Sequence, residues 1–311
     1  MKVFIHIGYH KTGSTFLQKK VFKNHPDIKL IDRYEGQNVF LKKGSFFFKG
    51  KIAQKWFSDQ LNSLEKEQSK IIVISDEELS GNIHTGGNGG YLAKEVADRL
   101  FSVMPDAHIL IFIRNQFEII ESAYRQYIKK GGTFSVNRYL FDTTGHYHRF
   151  PQFSFDHFEY NNLIKYYTSL FGSDNVHIFI YEKMRENISL FFNDFFSELG
   201  IPPPVYMEKI VQKRVNERFS FASVALARIT NRFYGSDPIN RRVIFNIPFF
   251  YKTCKRFYKR LDQTSLIKSL DREKKMLGKK AVDHIALRYR DSNREFSDML
   301  GVDLGAYGYP V

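Results

Sequence analysis

The chain has 311 residues, of which 43% are hydrophobic, enough for one large α/β domain or two small ones with a real core, and this excludes a disordered chain. A single cysteine, Cys254, excludes an internal disulfide and a cysteine-based zinc site and suits a reducing compartment. The net charge of +14 is uneven: residues 205–280 hold about +13 of it, so the C-terminal third is the part that would attract a polyanionic substrate, an anionic membrane or nucleic acid, unless it is simply a solvated face.

The chain begins on a strand-like run, Val3-Phe4-Ile5-His6-Ile7, with no basic n-region, no apolar h-region and no apolar stretch long enough for a bilayer, so a cytoplasmic protein is expected. The run empties into Gly8-Tyr9-His10-Lys11-Thr12-Gly13-Ser14-Thr15 and then a helical Phe16-Leu17-Gln18. A Walker A loop reads G-x-x-x-x-G-K-[ST]. Here Gly8, Gly13 and Thr15 keep that frame, but Ser14 stands in the lysine's place and the lysine moves back to Lys11. Backbone N–H groups of Gly13, Ser14 and Thr15 at a helix start would converge on an anion, with Lys11 on the loop's flank. The alternatives are a strand–turn–helix with a chance glycine pair and a degenerate P-loop NTPase.

This loop resembles the 5′-phosphosulfate loop of sulfotransferases that use 3′-phosphoadenosine-5′-phosphosulfate (PAPS). The resemblance implies an α/β, three-layer P-loop-like fold with a central parallel sheet. It would be one domain over 1–311, with a nucleotide-binding core to residue 204 and a basic, mainly helical part over 205–311. Lys11, Thr12, Gly13, Ser14 and Thr15 would hold the donor. Lys11 would also neutralise the leaving group, so no metal is required, and 3′-phosphoadenosine-5′-phosphate would be the product.

Further along, apolar runs alternate with helical periods, the pattern of a parallel sheet with crossover helices. Strands are expected at Lys2–Ile7, Ile71–Ser75, His108–Ile113 and Val176–Ile180. Helices are expected near Gly13–Asn24, Ile52–Glu67, Gly90–Val103, Phe117–Lys129, Phe155–Phe171 and Ile188–Leu199. Past Pro202-Pro203-Pro204 they are expected near Phe219–Arg232 and Lys279–Leu300, with an irregular basic-aromatic stretch between.

The second of these strands ends in Ser75-Asp76-Glu77-Glu78, placing carboxylates at a strand's carboxyl end, where ligands bind open α/β sheets. The segment looks like the strand-end Ser-x-Glu of bacterial carbohydrate sulfotransferases, which puts Glu77 in the role of general base with Glu78 its rival. Read without the resemblance, Asp76, Glu77 and Glu78 begin a helix that Ser75 caps. His10, His84 and His146 are candidates for the base if it is a histidine, as in other sulfotransferases.

The third strand runs into Arg114-Asn115-Gln116 and a helix bearing Ser122, and an arginine with a hydroxyl is a sound phosphate grip. In the resemblance, Arg114 and Ser122 hold the donor's 3′-phosphate, although Gln116 and Ile119 replace the motif's usual proline and arginine. Arg114 could instead cap the strand or pair with Glu118. Tyr181-Glu182-Lys183-Met184, Leu199-Gly200-Ile201 and the C-terminal Tyr289 to Tyr309 are also similar to the family. Lys213-Arg214-Val215-Asn216-Glu217-Arg218-Phe219-Ser220 is similar to its segment that returns to the nucleotide, with Arg218 where a serine commonly follows the asparagine, which implies Arg214 and Asn216 as further donor contacts.

Dense aromatics over Tyr139–Phe158 suit a sugar acceptor or a core. In the resemblance the glutamate-type strand end implies a carbohydrate or glycolipid hydroxyl, with phenols, lipids and small metabolites as the alternative acceptors. Residues 241–260 mix cations with large apolar side chains, which suits either peripheral contact with an anionic membrane or a plain helix packed on the core, with Pro248 preventing one uninterrupted helix; nucleic acid is not an expected partner. Two other readings are a P-loop kinase, which needs the missing Walker lysine, and a non-catalytic binder of anionic polymers.

Overall fold

Short runs of Ile, Val and Phe, apolar at every position, can only be covered on both faces, and this is what places them in a parallel sheet. The structure, a computed structural model, describes residues 2–67, 69–83, 90–142, 153–204, 219–234, 243–247, 249–265, 267, 269, 271 and 275–311. In chain order the elements are β1 (Lys2–Gly8), α1 (Ser14–Phe16), β2 (Ile28–Ile31), α2 (Arg33–Phe40), α3 (Gly50–Glu67), β3 (Ile71–Ser75), α4 (Ala93–Val103), β4 (His108–Ile113), α5 (Gln116–Lys129) and α6 (Val136–Phe141). There follow α7 (Tyr160–Phe171), β5 (Val176–Ile180), α8 (Tyr181–Glu186), α9 (Ile188–Leu199), α10 (Phe221–Thr230), α11 (Phe250–Gln263) and α12 (Lys279–Leu300).

The chain folds into two compact units. The first lies within Met1–Asn82, Gly90–Arg114 and Glu159–Val215 and contains the whole sheet, five parallel strands in the order β2-β3-β1-β4-β5. Phe4, Val73, Leu110 and Phe112 point to one face, where they meet Leu17, Val21 and Phe22 of the first connection and Phe191, Phe192, Phe195 and Phe196 of α9. Their neighbours Ile5, Ile109, Ile111 and Ile113, fully buried, alternate to the opposite face, where α7 packs on β4 and β5 and α4 packs on α7. The expected α/β architecture, a central parallel sheet flanked by helices, is therefore the observed one. Central β1 sends its chain toward β2 while its neighbour β4 leads toward β5, so a crevice opens at the carboxyl ends of β1 and β4.

The second unit lies within Ile83–Gly89, Asn115–Phe158 and Asn216–Val311 and is helical in its described residues. In it α5 packs on α10 and α12, and α10 on α11. Gln116, fully buried at the start of α5, exchanges both amide groups with Asn293 of α12: Gln116 Nε2 donates to Asn293 Oδ1 (3.0 Å) and Asn293 Nδ2 to Gln116 Oε1 (3.2 Å). Asn115 caps α5 by accepting from the Phe117 amide (2.9 Å). A side-chain cap and a buried amide pair thus hold the helix start that a proline would have held.

Several elements differ from expectation. β2 is an edge strand of four residues, too short to carry a readable period. Gly13–Asn24 is not one α-helix: three α-helical residues pass into a π-turn at Leu17–Val21 and a 3₁₀ turn at Phe22–Asn24. Phe155–Phe171 is split into a 3₁₀ turn at Asp156–Phe158 and α7. The stretch expected to be irregular between α10 and α12 contains α11, whose Cys254 and Tyr258 are buried while Phe257 is exposed. No helix among the described residues is long and apolar enough to cross a membrane.

Candidate functional site

Every strand of the sheet delivers a chemically active segment to one rim, because parallel strands all end on the same side. After β1 the backbone turns at Gly8, whose φ is +108°. A β-carbon there would lie 3.2 Å from the Cα of Glu77 and 3.1 Å from Ser80 Oγ, so only glycine lets the loop pass this close to the end of β3. The Tyr9 amide donates to the Phe112 carbonyl of β4 (2.8 Å), and the Thr12 and Ser14 hydroxyls donate to the Tyr9 carbonyl (2.5 and 3.4 Å). Lys11 has φ +69°, outside the region ordinary residues prefer. The loop is thus tied down on both sides of Lys11, with Thr12 and Ser14 buried and Lys11 and Thr15 half-buried.

Gly13, at φ +96°, precedes α1 and offers its first N–H groups no side-chain cap. A β-carbon at Gly13 would stand 3.1 Å from the Met184 Cε of α8. The π-turn that follows sets Gln18 against the end of β3, donating to the Ser75 carbonyl (3.1 Å) and to Glu77 Oε2 (3.0 Å).

The acidic segment after β3 is clamped by a residue that sequence reasoning missed. Arg33, first in α2 and delivered by the end of β2, reaches Asp76 Oδ1 (2.9 Å), Glu77 Oε1 (3.1 Å) and Glu78 Oε1 (3.4 Å). Gln37, one turn on, donates to Asp76 Oδ2 (2.8 Å), and Asp32 caps α2 by accepting from the Tyr34 amide (2.8 Å). Asp76 also accepts from the Glu78 amide (3.0 Å), so Asp76 is spent on holding the turn that starts at Glu77. Both oxygens of Glu77 are held, one by Arg33 and one by Gln18. His10 Nε2 lies 3.5 Å from Glu78 Oε1, and its buried Nδ1 has no hydrogen-bond partner among the described residues.

These neighbours decide the ionisation. Burial pushes the Glu77 carboxyl upward, but His10, Arg33, the backbone and Gln18 outweigh it and hold it below the ordinary glutamate value. Glu78 is held low in the same way, against burial, by His10, Asn82 and Arg33. For Asp76 burial wins over Arg33, and its carboxyl rises to about 6. His6, buried in β1 with its Nδ1 2.7 Å from Ser75 Oγ, is pushed down to about 4 by burial, so it is neutral at pH 7.

At the end of β4, Arg114 donates from Nη1 to the Lys11 carbonyl (2.9 Å) and lies over the Tyr181 ring of α8, 4.6 Å from its centroid. Tyr160 of α7 donates to the Arg114 carbonyl (2.6 Å). One unit therefore brings Lys11, Thr12, Gly13, Ser14, Thr15, Glu77 and Arg114 to a single rim. Ser122 lies half-buried on α5, in the helical unit. Arg214 and Asn216, and the alternative bases His84 and His146, lie outside the described residues. Arg33 could have been found only through strand order, which sets β2 beside β3, and the reach of Gln18 only through the pairing of β1 with β3; Tyr181 lies in a segment the sequence singles out, but its place over Arg114 needs β5 beside β4.

No family model and no curated protein sequence matches the chain. Among solved structures it is similar to a sulfotransferase from Alicyclobacillus acidocaldarius, at 16% identity and TM-score 0.48, over 80% of this chain and 98% of that one. It is also similar to the sulfotransferase domain from the curacin biosynthetic pathway, at 14% identity and TM-score 0.39, over 85% of this chain and 98% of that one. A mouse sulfotransferase complexed with PAP is similar at 12% identity and TM-score 0.37, over 88% of this chain and 89% of that one.

Proposed function

We propose that the protein transfers a sulfuryl group from 3′-phosphoadenosine-5′-phosphosulfate to a hydroxyl of a carbohydrate or glycolipid. One observation carries the reading: the lysine loop after β1 runs against the carboxylate turn after β3, within 3.2 Å of Gly8's missing side chain, and Arg114 braces the same loop. The donor chemistry fits these residues. Its phosphates are anions, and the rim supplies a lysine, an arginine, two hydroxyls and uncapped N–H groups beside a turn of carboxylates held by Arg33. Position 14 carries no lysine, which disfavours a triphosphate-cleaving P-loop enzyme.

In this reading the backbone of Thr12, Gly13, Ser14 and Thr15, with the Ser14 and Thr15 hydroxyls, holds the 5′-phosphate. Arg114 holds the 3′-phosphate, and the assignment of Ser122 to that phosphate, like that of Arg214 and Asn216 to the nucleotide, rests on sequence motifs alone. Glu77 takes the proton of the acceptor hydroxyl as that oxygen forms its bond to sulfur. The bond from sulfur to the 5′-phosphate oxygen breaks with its electron pair on the phosphate, where Lys11 neutralises the charge. Positioning and electrostatics do most of the work, as in phosphoryl transfer. Arg33 and Gln18 fix Glu77 as a carboxylate facing one way. The exposed Phe245, Phe249 and Phe257, set among Lys252, Lys255, Arg256 and Lys259, support peripheral contact with an anionic membrane, where a lipid-linked acceptor would lie.

Transfer of labelled sulfate from PAPS to a panel of glycans, glycolipids and phenols tests the reading. A labelled glycan or glycolipid whose formation needs both Lys11 and Glu77 supports it. Turnover only with phenols rejects the acceptor class, and magnesium-dependent ATP turnover without sulfate transfer rejects the reaction in favour of a kinase.

A further inference from the structure

The helical unit contains a pocket of about 420 Å³, within the size range of small-molecule sites, whose charged lining has no part in the reaction above. Arg138 of α6, Arg228 of α10 and Arg232, one turn past Arg228, meet there with Thr133, Phe134 and Ile244. Arg138 is the answered cation of the three: it pairs with Asp142 (2.9 Å) and lies over the Phe134 ring, 4.4 Å from its centroid. Among the described residues neither Arg228 nor Arg232 has a carboxylate partner, and the buried Nε of Arg228 has no hydrogen-bond acceptor there either. Two like charges four residues apart on a helical face repel each other. A buried guanidinium N–H without a partner adds to that cost. A protein that spends stability this way in a pocket is arranged for an anion that comes from outside.

The chemistry of the lining narrows the ligand. Among the described residues, three guanidinium groups against one carboxylate leave an excess of two positive charges, which matches a phosphomonoester dianion better than a single carboxylate. Planar forks also suit phosphate oxygens. Phe134 and Ile244 add an apolar wall that a bare inorganic ion would not need. We propose that this pocket is a binding site for a small organic phosphate, its phosphate on Arg228 and Arg232 and its body against Phe134 and Ile244. The site stands independently of the transfer reaction.

Calorimetric titration of the full chain with glucose 1-phosphate tests this, with inorganic phosphate and glucose in parallel. One molecule of the sugar phosphate is expected to bind, more tightly than inorganic phosphate, and binding should weaken steeply from roughly 0.05 to 0.5 M salt. Arg228→Gln with Arg232→Gln should weaken it at least about tenfold, the scale of a lost charge-assisted hydrogen bond. Arg232→Gln, a change at an exposed side chain, gives the same direction if the double variant does not fold. Lys11→Ala should leave it unchanged, since that variant disables the other candidate phosphate site. The absence of binding, binding lost in Lys11→Ala but kept in Arg232→Gln, or inorganic phosphate binding as tightly as the sugar phosphate would each overturn the proposal.

Discussion

Two groups of arginines in this molecule keep opposite company. At the sheet rim Arg33 meets three carboxylates within 3.4 Å, and Arg114 meets a carbonyl and an aromatic ring. In the helical unit Arg228 and Arg232 meet no carboxylate among the described residues. Charge answered inside the molecule fixes geometry, whereas charge left over is available to a ligand. At the rim the proposed reaction draws the same distinction: Arg33 and Gln18 hold Glu77 in place, and Lys11 and Glu77 are the residues proposed to act.

The largest effect should come from an acting residue. Lys11→Ala should lower turnover at least about a hundredfold with little loss of stability, the scale of a lost electrostatic donor in an active site. Near-native turnover in that variant would remove the lysine from the mechanism. Glu77→Gln should cost about as much, on the scale of a lost general base, while Glu78→Gln should cost less than about tenfold. Comparing the two rates under single-turnover conditions decides between neighbours, and the reverse order would move the base by one residue.

A holding residue should behave differently. Arg33→Ala should lower stability by about 1–2 kcal/mol, less than for a fully buried pair because Arg33 is about one-third exposed. Its signature is the pH profile. Glu77 must be ionised to accept a proton, and it is held below the ordinary glutamate value, so the acid limb of kcat/KM should lie below that value. Without Arg33, burial and the neighbouring Asp76 and Glu78 remain while an attraction is lost, and the limb should move upward. His10 and His6 also face this carboxyl, and His10 opposes the shift. An acid limb that stays in place in Arg33→Ala, with turnover still dependent on Glu77, would reduce Arg33 to a structural contact. In stability the signs oppose each other: Glu77, held low, stabilises the fold above the unfolded glutamate pKa, and this is lost as pH falls through its lower folded value. Asp76, raised to about 6, favours the fold increasingly as pH falls through that value.

Much of the rim was legible in the sequence because its parts are local. A strand's end and the loop that follows it are contiguous, so Gly8 to Thr15, Ser75 to Glu78 and Ile113-Arg114 could each be read in one place. What escaped is what joins them. Arg33 lies 44 residues from Glu77 in sequence and reaches it only because β2, four residues long, sits beside β3. Gln116 departs from the proline of the resembling motif, and its reason, Asn293, is 177 residues away. The sequence leaves α11 open between an irregular stretch and a plain helix, because its described surface is dominated by cations and only Cys254 and Tyr258 are buried, too few to mark a helical period. The first connection was misread for a different reason: its apolar residues have helical spacing, but a π-turn widens the helix where Gln18 must reach Glu77.

The most direct test of the central claim is calorimetric titration with 3′-phosphoadenosine-5′-phosphate against ADP, without magnesium, in the native protein and in Arg114→Ala. The account predicts that the 3′-phosphorylated nucleotide binds at least about tenfold more tightly than ADP, and that Arg114→Ala abolishes the preference. Equal affinity for the two nucleotides, or a preference for ATP with magnesium, would contradict it.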